Sequence, residues 1–273
     1  MTSKRMNNFS GKEWLQNSFT IWRDIEKTTE EKKLKHPAMF PAMLAKKLIE
    51  IYTLDEGEVI FDPFLGVGST LKAAYKLNKK GIGIDLNKKY CDIAKKRILY
   101  NQIEISDKNI KFYDPEIYAA DAINLDKYIK PNSVDLVITS PPYWDILNRF
   151  RTVDNKAIRN YSALKRDLGN IVNYEIFLRE LKKIYKKVYK VLKPNKRCCC
   201  IVMDIRKKDK FYPLHEDQTK IMREVGFELE EYVIWDRQKE YNNMKTLGYP
   251  YVFRFNKVHE YICIYWKRET KLK

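Results

Sequence analysis

Glu58-Val-Ile-Phe-Asp-Pro-Phe-Leu-Gly-Val-Gly-Ser-Thr70 is a short β-rich run that breaks at Asp62-Pro63 into a glycine turn and then opens a helix. Gly66 and Gly68 let the backbone approach a ligand closely, and free N–H groups at a helix start favour polar ligand atoms. No Gly-Lys-Ser/Thr follows, so this is not a Walker loop. Tight strand-to-helix turns need glycine in any case, and the turn by itself names no ligand.

Outward from this stretch the same alternation repeats. Strands are expected over Glu58–Phe61, Gly81–Asp85, Ile117–Ala119, Val134–Thr139 and Arg197–Met203, with helices over Ser69–Leu77, Asn87–Tyr100 and Tyr174–Leu192. Short strands alternating with longer helical patterns predict an α/β fold with a parallel sheet. Two more strands, Glu228–Trp235 and Tyr261–Trp266, follow, and two helical segments, Gly11–Ile25 and Ala38–Tyr52, precede. No internal repeat or long linker divides the 273 residues, which predicts one domain over 1–273 with a helical extension over 1–35. On the helix Tyr174–Leu192, Lys182, Lys183, Lys186, Lys187 and Lys190 lie opposite Leu181, Ile184, Val188 and Val191, and read as a solvated face.

Composition bounds the partners. Lys and Arg number 53 against 36 Asp and Glu, so the net charge is 53 − 36 = +17. Such a charge attracts polyanions, although a Lys- and Glu-rich composition is also a feature of heat-adapted proteins. The longest apolar stretch, near Cys198–Met203, is too short to span a membrane. Met1-Thr-Ser-Lys-Arg5 begins no apolar signal segment, so a cytoplasmic location is expected. The five cysteines are expected to be reduced thiols. Cys198, Cys199 and Cys200 alternate sides of a strand and cannot all face one metal, and His36, His215 and His259 are far apart in sequence. No metal site is expected.

Asp85 ends the second strand in Gly81-Ile-Gly-Ile-Asp-Leu-Asn87. An acid at that position commonly accepts hydrogen bonds from ribose hydroxyls. The glycine turn and this acid suit NAD as well as S-adenosylmethionine. Thr139-Ser-Pro-Pro-Tyr-Trp144 follows the buried-type strand and therefore sits at the carboxyl edge of the sheet, where open α/β sheets bind ligands. Its two prolines fix an extended backbone whose carbonyls are not consumed by a helix. Tyr143 and Trp144 are expected to be exposed there, as a platform for a base.

Taken together, these motifs resemble the amino-methyltransferases that modify cytosine N4 or adenine N6. Asp62 through Thr70 match the family's cofactor loop Asp-Pro-Phe-x-Gly-x-Gly-x-Thr, and Ser140 through Tyr143 match its (Asp/Asn/Ser)-Pro-Pro-(Tyr/Phe/Trp) tetrapeptide. His36-Pro-Ala-Met-Phe-Pro-Ala-Met-Leu44 resembles its methionine-side segment. The likeness runs from about residue 10 to the end, including Val191-Leu-Lys-Pro194, Val225-Gly-Phe227 and His259-Glu260.

The resemblance implies a Rossmann-like class I methyltransferase fold, a mostly parallel seven-stranded sheet with helices on both faces. It implies S-adenosylmethionine as cofactor, S-adenosylhomocysteine as product, and no metal. Phe40, Asp62, Pro63, Phe64, Gly66, Gly68 and Thr70 are then expected around the methionine moiety. Asp85 is expected at the ribose, Leu86 against the adenine ring, and Asp121 and Ala122 at the adenine amino group. Ser140, Pro141, Pro142 and Tyr143 are the expected catalytic residues. Ser140 Oγ and the Pro141 carbonyl would accept the two hydrogens of an exocyclic amine, while the Tyr143 ring stacks on a flipped base, its hydroxyl dispensable.

A serine at the first tetrapeptide position is more typical of cytosine-N4 members, and the expected activity is therefore site-specific DNA cytosine-N4 methylation, of the kind found in restriction-modification. Adenine-N6 methylation of DNA and N4-cytidine methylation of an rRNA-type RNA remain alternatives. The expected partner is nucleic acid, DNA ahead of RNA, with no membrane and no obligate protein partner. Two basic-aromatic segments, 145–173 and 236–257, are candidates for substrate recognition. Within or beside them Trp144, Arg149, Arg151, Arg237 and Tyr249 are the expected substrate contacts, with Arg159, Lys165, Arg166, Tyr241, Asn242 and Arg254 nearby.

Overall fold

The computed structural model describes residues 5–269 apart from 35, 37, 105–111, 149–160, 162–163, 165, 241–243 and 245. Its elements, numbered in chain order, begin with α1 (Gly11–Asn17), β1 (Ile21–Trp22), α2 (Thr29–Lys33) and α3 (Ala42–Tyr52). The alternating section follows as β2 (Val59–Asp62), α4 (Ser69–Lys76), β3 (Lys80–Asp85), α5 (Lys88–Glu104), β4 (Glu116–Ala119) and β5 (Val134–Thr139). The chain continues through α6 (Tyr174–Val191), β6 (Leu192–Val202), β7 (Ile205–Lys207), β8 (Lys210–Tyr212), α7 (Leu214–Val225), β9 (Glu228–Asp236) and β10 (His259–Trp266).

All seven expected strands form, and they share one sheet in the order β1-β9-β10-β6-β5-β2-β3-β4. The sheet has eight strands rather than seven. The eighth, β1, lies inside the expected helix Gly11–Ile25, which stops at Asn17. There Ile21 and Trp22 pair in parallel with Ile234 and Trp235, and the Trp22 side chain is buried. A two-residue edge strand has too little sequence to show a period, so only its partner reveals it.

β10 runs antiparallel between β6 and β9, while the remaining pairings are parallel. This reversal places the start of β10, His259 and Glu260, at the same edge as the carboxyl ends of β6 and β9. Successive strand residues feed opposite faces. Phe61, Val137, Cys198 and Cys200 pack with Leu181, Ile184 and Val188 of α6 and Met222 of α7. Ile60, Leu136, Ile138, Cys199 and Ile201 pack on the other face with Leu44 and Leu48 of α3 and Ala73 and Ala74 of α4. The cysteine triplet is thus divided between the two faces of the core.

α7 escapes a sequence reading because two of its inward positions are polar. Gln218 and Thr219 are buried and hydrogen-bond the hydroxyls of Tyr185 and Tyr265, which blurs the apolar period. The lysine stripe of α6 faces outward, with Lys182, Lys183 and Lys187 paired to Glu224, Glu180 and Asp126. Among the described residues no helix is long and apolar enough to cross a membrane.

Candidate active site

β2, β3 and β5 end at one edge of the sheet, and each sends a functional loop into a cavity of about 1090 Å³. The loop after β2 contributes Pro63, Phe64, Gly66 and Ser69, and β3 contributes Asp85 and Leu86. Asp121 and Ala122 follow β4, Ser140 through Tyr143 follow β5, and Phe40 reaches in ahead of α3. Residues far apart in sequence converge because parallel strands present all their carboxyl ends on the same side.

Three expected cofactor residues stand behind this wall rather than on it. Asp62 is fully buried, and its carboxylate accepts Thr70 Oγ1 at 2.7 Å, Thr139 Oγ1 at 2.8 Å and the Phe64 N–H at 3.0 Å. It ties the turn after β2 to the end of β5, and burial lifts its pKa to about 6. Thr70 serves the same brace. Gly68 adopts φ +83° at the start of α4, and a Cβ there would lie 2.7 Å from the Ala94 Cβ. This glycine therefore lets α4 pack against α5, whereas Gly66, at φ +54°, faces the cavity.

Asp85 Oδ2 accepts the Gly66 N–H and the Tyr161 hydroxyl, both at 2.7 Å, and Oδ1 accepts the Asn87 N–H at 2.8 Å. Burial raises its pKa to about 6, against the lowering effect of these three donors. Three of roughly four acceptor positions are occupied, so two further donors would need one of the three to yield, and the Tyr161 hydroxyl is the one not fixed by backbone. Asp121 caps the turn that follows β4, accepting the Ile123 N–H at 3.0 Å.

His36 enters the sequence reading only as part of a motif, yet it is a cavity residue packed edge-on against Tyr90 and Tyr161. Burial, with Lys27 and Arg97 adding to it, depresses its pKa to about 3. The ring is therefore neutral, and Nδ1 accepts the Ala38 N–H, which leaves the ring hydrogen on Nε2. Nε2 and the cavity-lining Ser69 Oγ are buried without a hydrogen-bond partner among the described residues. Such atoms cost free energy unless a ligand satisfies them. Acceptor carboxylates on the cavity wall, with unpartnered donors in the same cavity, suit S-adenosylmethionine, whose hydroxyls and amino groups donate and whose methionine carboxylate accepts.

In the tetrapeptide, Ser140 Oγ lies 3.0 Å from the Tyr143 hydroxyl, which also bonds Glu260 Oε2 at 2.7 Å. The Tyr143 hydroxyl is held protonated, its pKa pushed well up by burial and by the Glu260 carboxylate. Trp144 corrects the sequence reading. It is 5% exposed, not a surface platform, and its Nε1 donates to the Ile171 carbonyl at 2.8 Å. It packs between Tyr174 and Tyr212 beneath the Lys207 ammonium. With φ +54° the residue turns back toward the core as soon as the prolines release the chain, so its ring is largely buried although it still borders the cavity beside Tyr143.

Arg237 lines the cavity wall, ion-paired with Glu260 and Glu240 and stacked over Trp235. Tyr249 is far more exposed, outside the cavity lining. Arg149, Arg151, Arg159, Lys165, Tyr241 and Asn242 lie outside the described residues. Among the described residues no group of three or more His, Cys, Asp or Glu side chains could hold a metal ion.

A family model described as DNA methylase, of the N6/N4 type, matches residues 1–96 and 134–273. The orphan methyltransferase M.BamHII of Bacillus amyloliquefaciens is 44% identical over 84 residues, covering 29% of this chain and 31% of that protein. The Type II methyltransferase M.MjaI of Methanocaldococcus jannaschii is 34% identical over 94 residues, covering 34% and 31%. The matched segments thus span about a third of these curated relatives. Among solved structures, the SpnF cyclase superposes with a TM-score of 0.52 at 14% identity, over 83% of this chain and 81% of its own, a likeness of fold alone.

Proposed function

Because this chain belongs to the N6/N4 DNA methylase family, we propose that it transfers a methyl group from S-adenosylmethionine to the exocyclic N4 of a cytosine flipped out of duplex DNA. The observation that carries the reading is the shared cavity: Ser140 and Pro141 line the same space as Gly66, Asp85 and Asp121. Asp85 is the residue to hold the ribose, Asp121 and Ala122 the adenine amino group, and Leu86 the adenine face. Phe40, Pro63, Phe64 and Gly66 border the methionine end. Bound there, the cofactor supplies a methyl group on a sulfonium centre.

The protein's part is to prepare the nucleophile. An exocyclic amine is a poor one because its lone pair is delocalised into the ring. Ser140 Oγ and the Pro141 carbonyl accept hydrogen bonds from its two hydrogens and draw the nitrogen toward tetrahedral geometry, so that the lone pair is free for in-line attack. The N–C bond would form as the S–C bond breaks, leaving S-adenosylhomocysteine, and the nitrogen would then release one proton to solvent. The Tyr143 ring holds the flipped base by stacking. Serine rather than aspartate at position 140 favours cytosine over adenine. Nucleosides from duplex DNA and from a structured RNA of matching sequence, each incubated with labelled cofactor, test the assignment by mass spectrometry. N4-methylcytosine from DNA is the expected product, formed faster when the cytosine is mismatched, because flipping then costs a few kcal/mol less. N6-methyladenine would move the target, and product from RNA alone would sink the DNA reading.

Two neighbouring hairpins support a nucleic-acid partner. Arg254 pairs with Asp209 and donates to the Lys208 carbonyl, joining the segment closed by the Leu247–Arg254 bridge to β7–β8. The first segment displays Tyr249, Tyr251 and Phe253, and Phe255 follows its closing bridge, each of the four 80–91% exposed. Beside it, Arg206, Lys208 and Lys210 are exposed, and Arg206 and Lys257 lie over the Phe211 ring. Basic side chains for phosphates beside bare aromatic rings suit DNA opened at one base. Changing Arg206, Lys208 and Lys210 to Gln is expected to weaken DNA binding and flatten its salt dependence by about one unit per lost phosphate contact. Changing Tyr251 and Phe253 to Ala is expected to weaken binding with the slope kept. Binding titrations at several salt concentrations separate the two, with Lys183, Lys186 and Lys190 on α6 as controls.

A further inference from the structure

Serine is an ambiguous choice for the first tetrapeptide position, because a hydroxyl both donates and accepts, whereas an aspartate can only accept. A hydroxyl whose hydrogen points at the target amine repels it. Ser140 must therefore have its hydrogen directed elsewhere before it can serve, and nothing in Ser-Pro-Pro-Tyr itself ensures this.

The direction is supplied from β10. The Tyr143 hydroxyl has one hydrogen and faces two groups that only accept, Glu260 Oε2 at 2.7 Å and the Ile201 carbonyl at 3.2 Å. The shorter, charge-assisted bond takes the hydrogen. Having spent its donor there, the Tyr143 oxygen can only accept at its 3.0 Å contact with Ser140 Oγ. Ser140 is then the donor in that contact, and its lone pairs are left for the cavity. Glu260 is itself buried and held on its far side by Arg237, which stacks over Trp235. The antiparallel insertion of β10 brings Glu260 to this edge, across 117 residues of sequence from Tyr143.

We infer that Glu260, held by Arg237 and acting through the Tyr143 hydroxyl, is a positioning residue that fixes Ser140 as an obligate hydrogen-bond acceptor toward the target amine. Glu260 itself borders the cavity, and the role assigned to it is to act through Tyr143 on Ser140. The inference rests on the reading of Ser140 as the acceptor for an exocyclic amine, and holds for cytosine or adenine alike. It also reverses the expectation that the Tyr143 hydroxyl is dispensable.

The test begins with Glu260→Gln, whose amide can donate as well as accept and so releases the chain from a single direction. Single-turnover kcat is expected to fall on the order of 10- to 100-fold, with KM for DNA and Kd for S-adenosylmethionine retained, as for a misaligned reacting group. Tyr143→Phe, which keeps the ring and removes the link, is expected to lose a similar factor. In a Ser140→Asp background, where position 140 needs no orientation, the loss from Glu260→Gln is expected to shrink several-fold. Wild-type rates in both single variants, or an equal loss from Glu260→Gln with and without Ser140→Asp, overturn the proposal. A readout independent of turnover is the Tyr143 hydroxyl proton, expected far downfield in the free wild-type protein and shifted upfield by Glu260→Gln. A resonance unmoved by that change also overturns it. The nucleoside products of the wild type judge the amine reading separately.

Discussion

Ser140→Ala is expected to leave a folded protein that binds S-adenosylmethionine normally and turns over on the order of 10² to 10³ times more slowly, the loss typical when one oriented polar group is removed from a reacting centre. Ser140 is half-buried at the end of β5, and among the described residues its side-chain bond is to the Tyr143 hydroxyl, so truncation opens no large void in the core. Tyr143 keeps its bond to Glu260, and the Asp62 brace to Thr70 and Thr139 is untouched. The effect therefore belongs to kcat, because the interaction with the amine strengthens only as the nitrogen becomes tetrahedral. Single-turnover methylation beside calorimetric cofactor binding makes the comparison. A wild-type rate in the Ala variant removes Ser140 from catalysis, and an equal loss in cofactor affinity places it in the wrong site.

The second large effect is on binding. Asp85→Ala is expected to weaken S-adenosylmethionine by on the order of 1.5–3 kcal/mol for each charge-assisted bond lost to the ribose. The alanine also frees the Gly66 and Asn87 N–H groups, which the two carboxylate oxygens now hold, whereas Asp85→Asn keeps one acceptor oxygen for one of them and turns an NH2 group toward the other, so it is the milder companion that removes the charge. Burial places the Asp85 pKa near 6, and the ionised form is the one able to accept two hydroxyls. Cofactor affinity is thus expected to fall as pH is lowered through about 6, and this dependence is expected to vanish in Asp85→Asn. The same shift acts on folding with opposite sense. A carboxyl raised from its usual 3.8 to about 6 binds more protons when folded, so its contribution to stability is present below pH 3.8 and lost as pH rises through 6. Calorimetry from about pH 5 to about pH 8, with thermal melts of each variant, distinguishes a ribose contact from a loop defect. Unchanged affinity in a folded Asp85→Ala excludes the ribose role.

The alternating section is legible because each of its elements carries its own signal. Val134–Thr139 agrees to the residue, and β2, β3 and β4 agree to within one residue at each end, since buried parallel strands are short apolar runs bounded by turns. The glycine turn, Asp85 and Ser140–Tyr143 follow such strands directly, so locating the strands places all three at one edge. Legibility fails where a residue's surroundings come from elsewhere in the chain. Trp144 borders the cavity beside Tyr143, yet a positive φ buries its ring between Tyr174 and Tyr212 instead of leaving it exposed. Gly68 matches a ligand-loop motif, yet its missing side chain makes room for Ala94.

By itself the sequence determined seven of the eight strands and the sheet edge at which the glycine turn, Asp85 and Ser140–Tyr143 lie, because strand period, glycine turns and paired prolines act over a few neighbouring residues. Tertiary structure alone decided which of those groups face the cavity, how their hydrogens are directed and what stands behind them. Asp62 and Thr70 became a brace, His36 a neutral donor against Tyr90 and Tyr161, and Glu260 the partner of Tyr143. Hydrogen-bond direction and burial depend on atoms that the fold brings to within about 3 Å of one another. In a parallel sheet with one reversed strand those atoms come from turns far apart in the chain, 117 residues in the case of Tyr143 and Glu260.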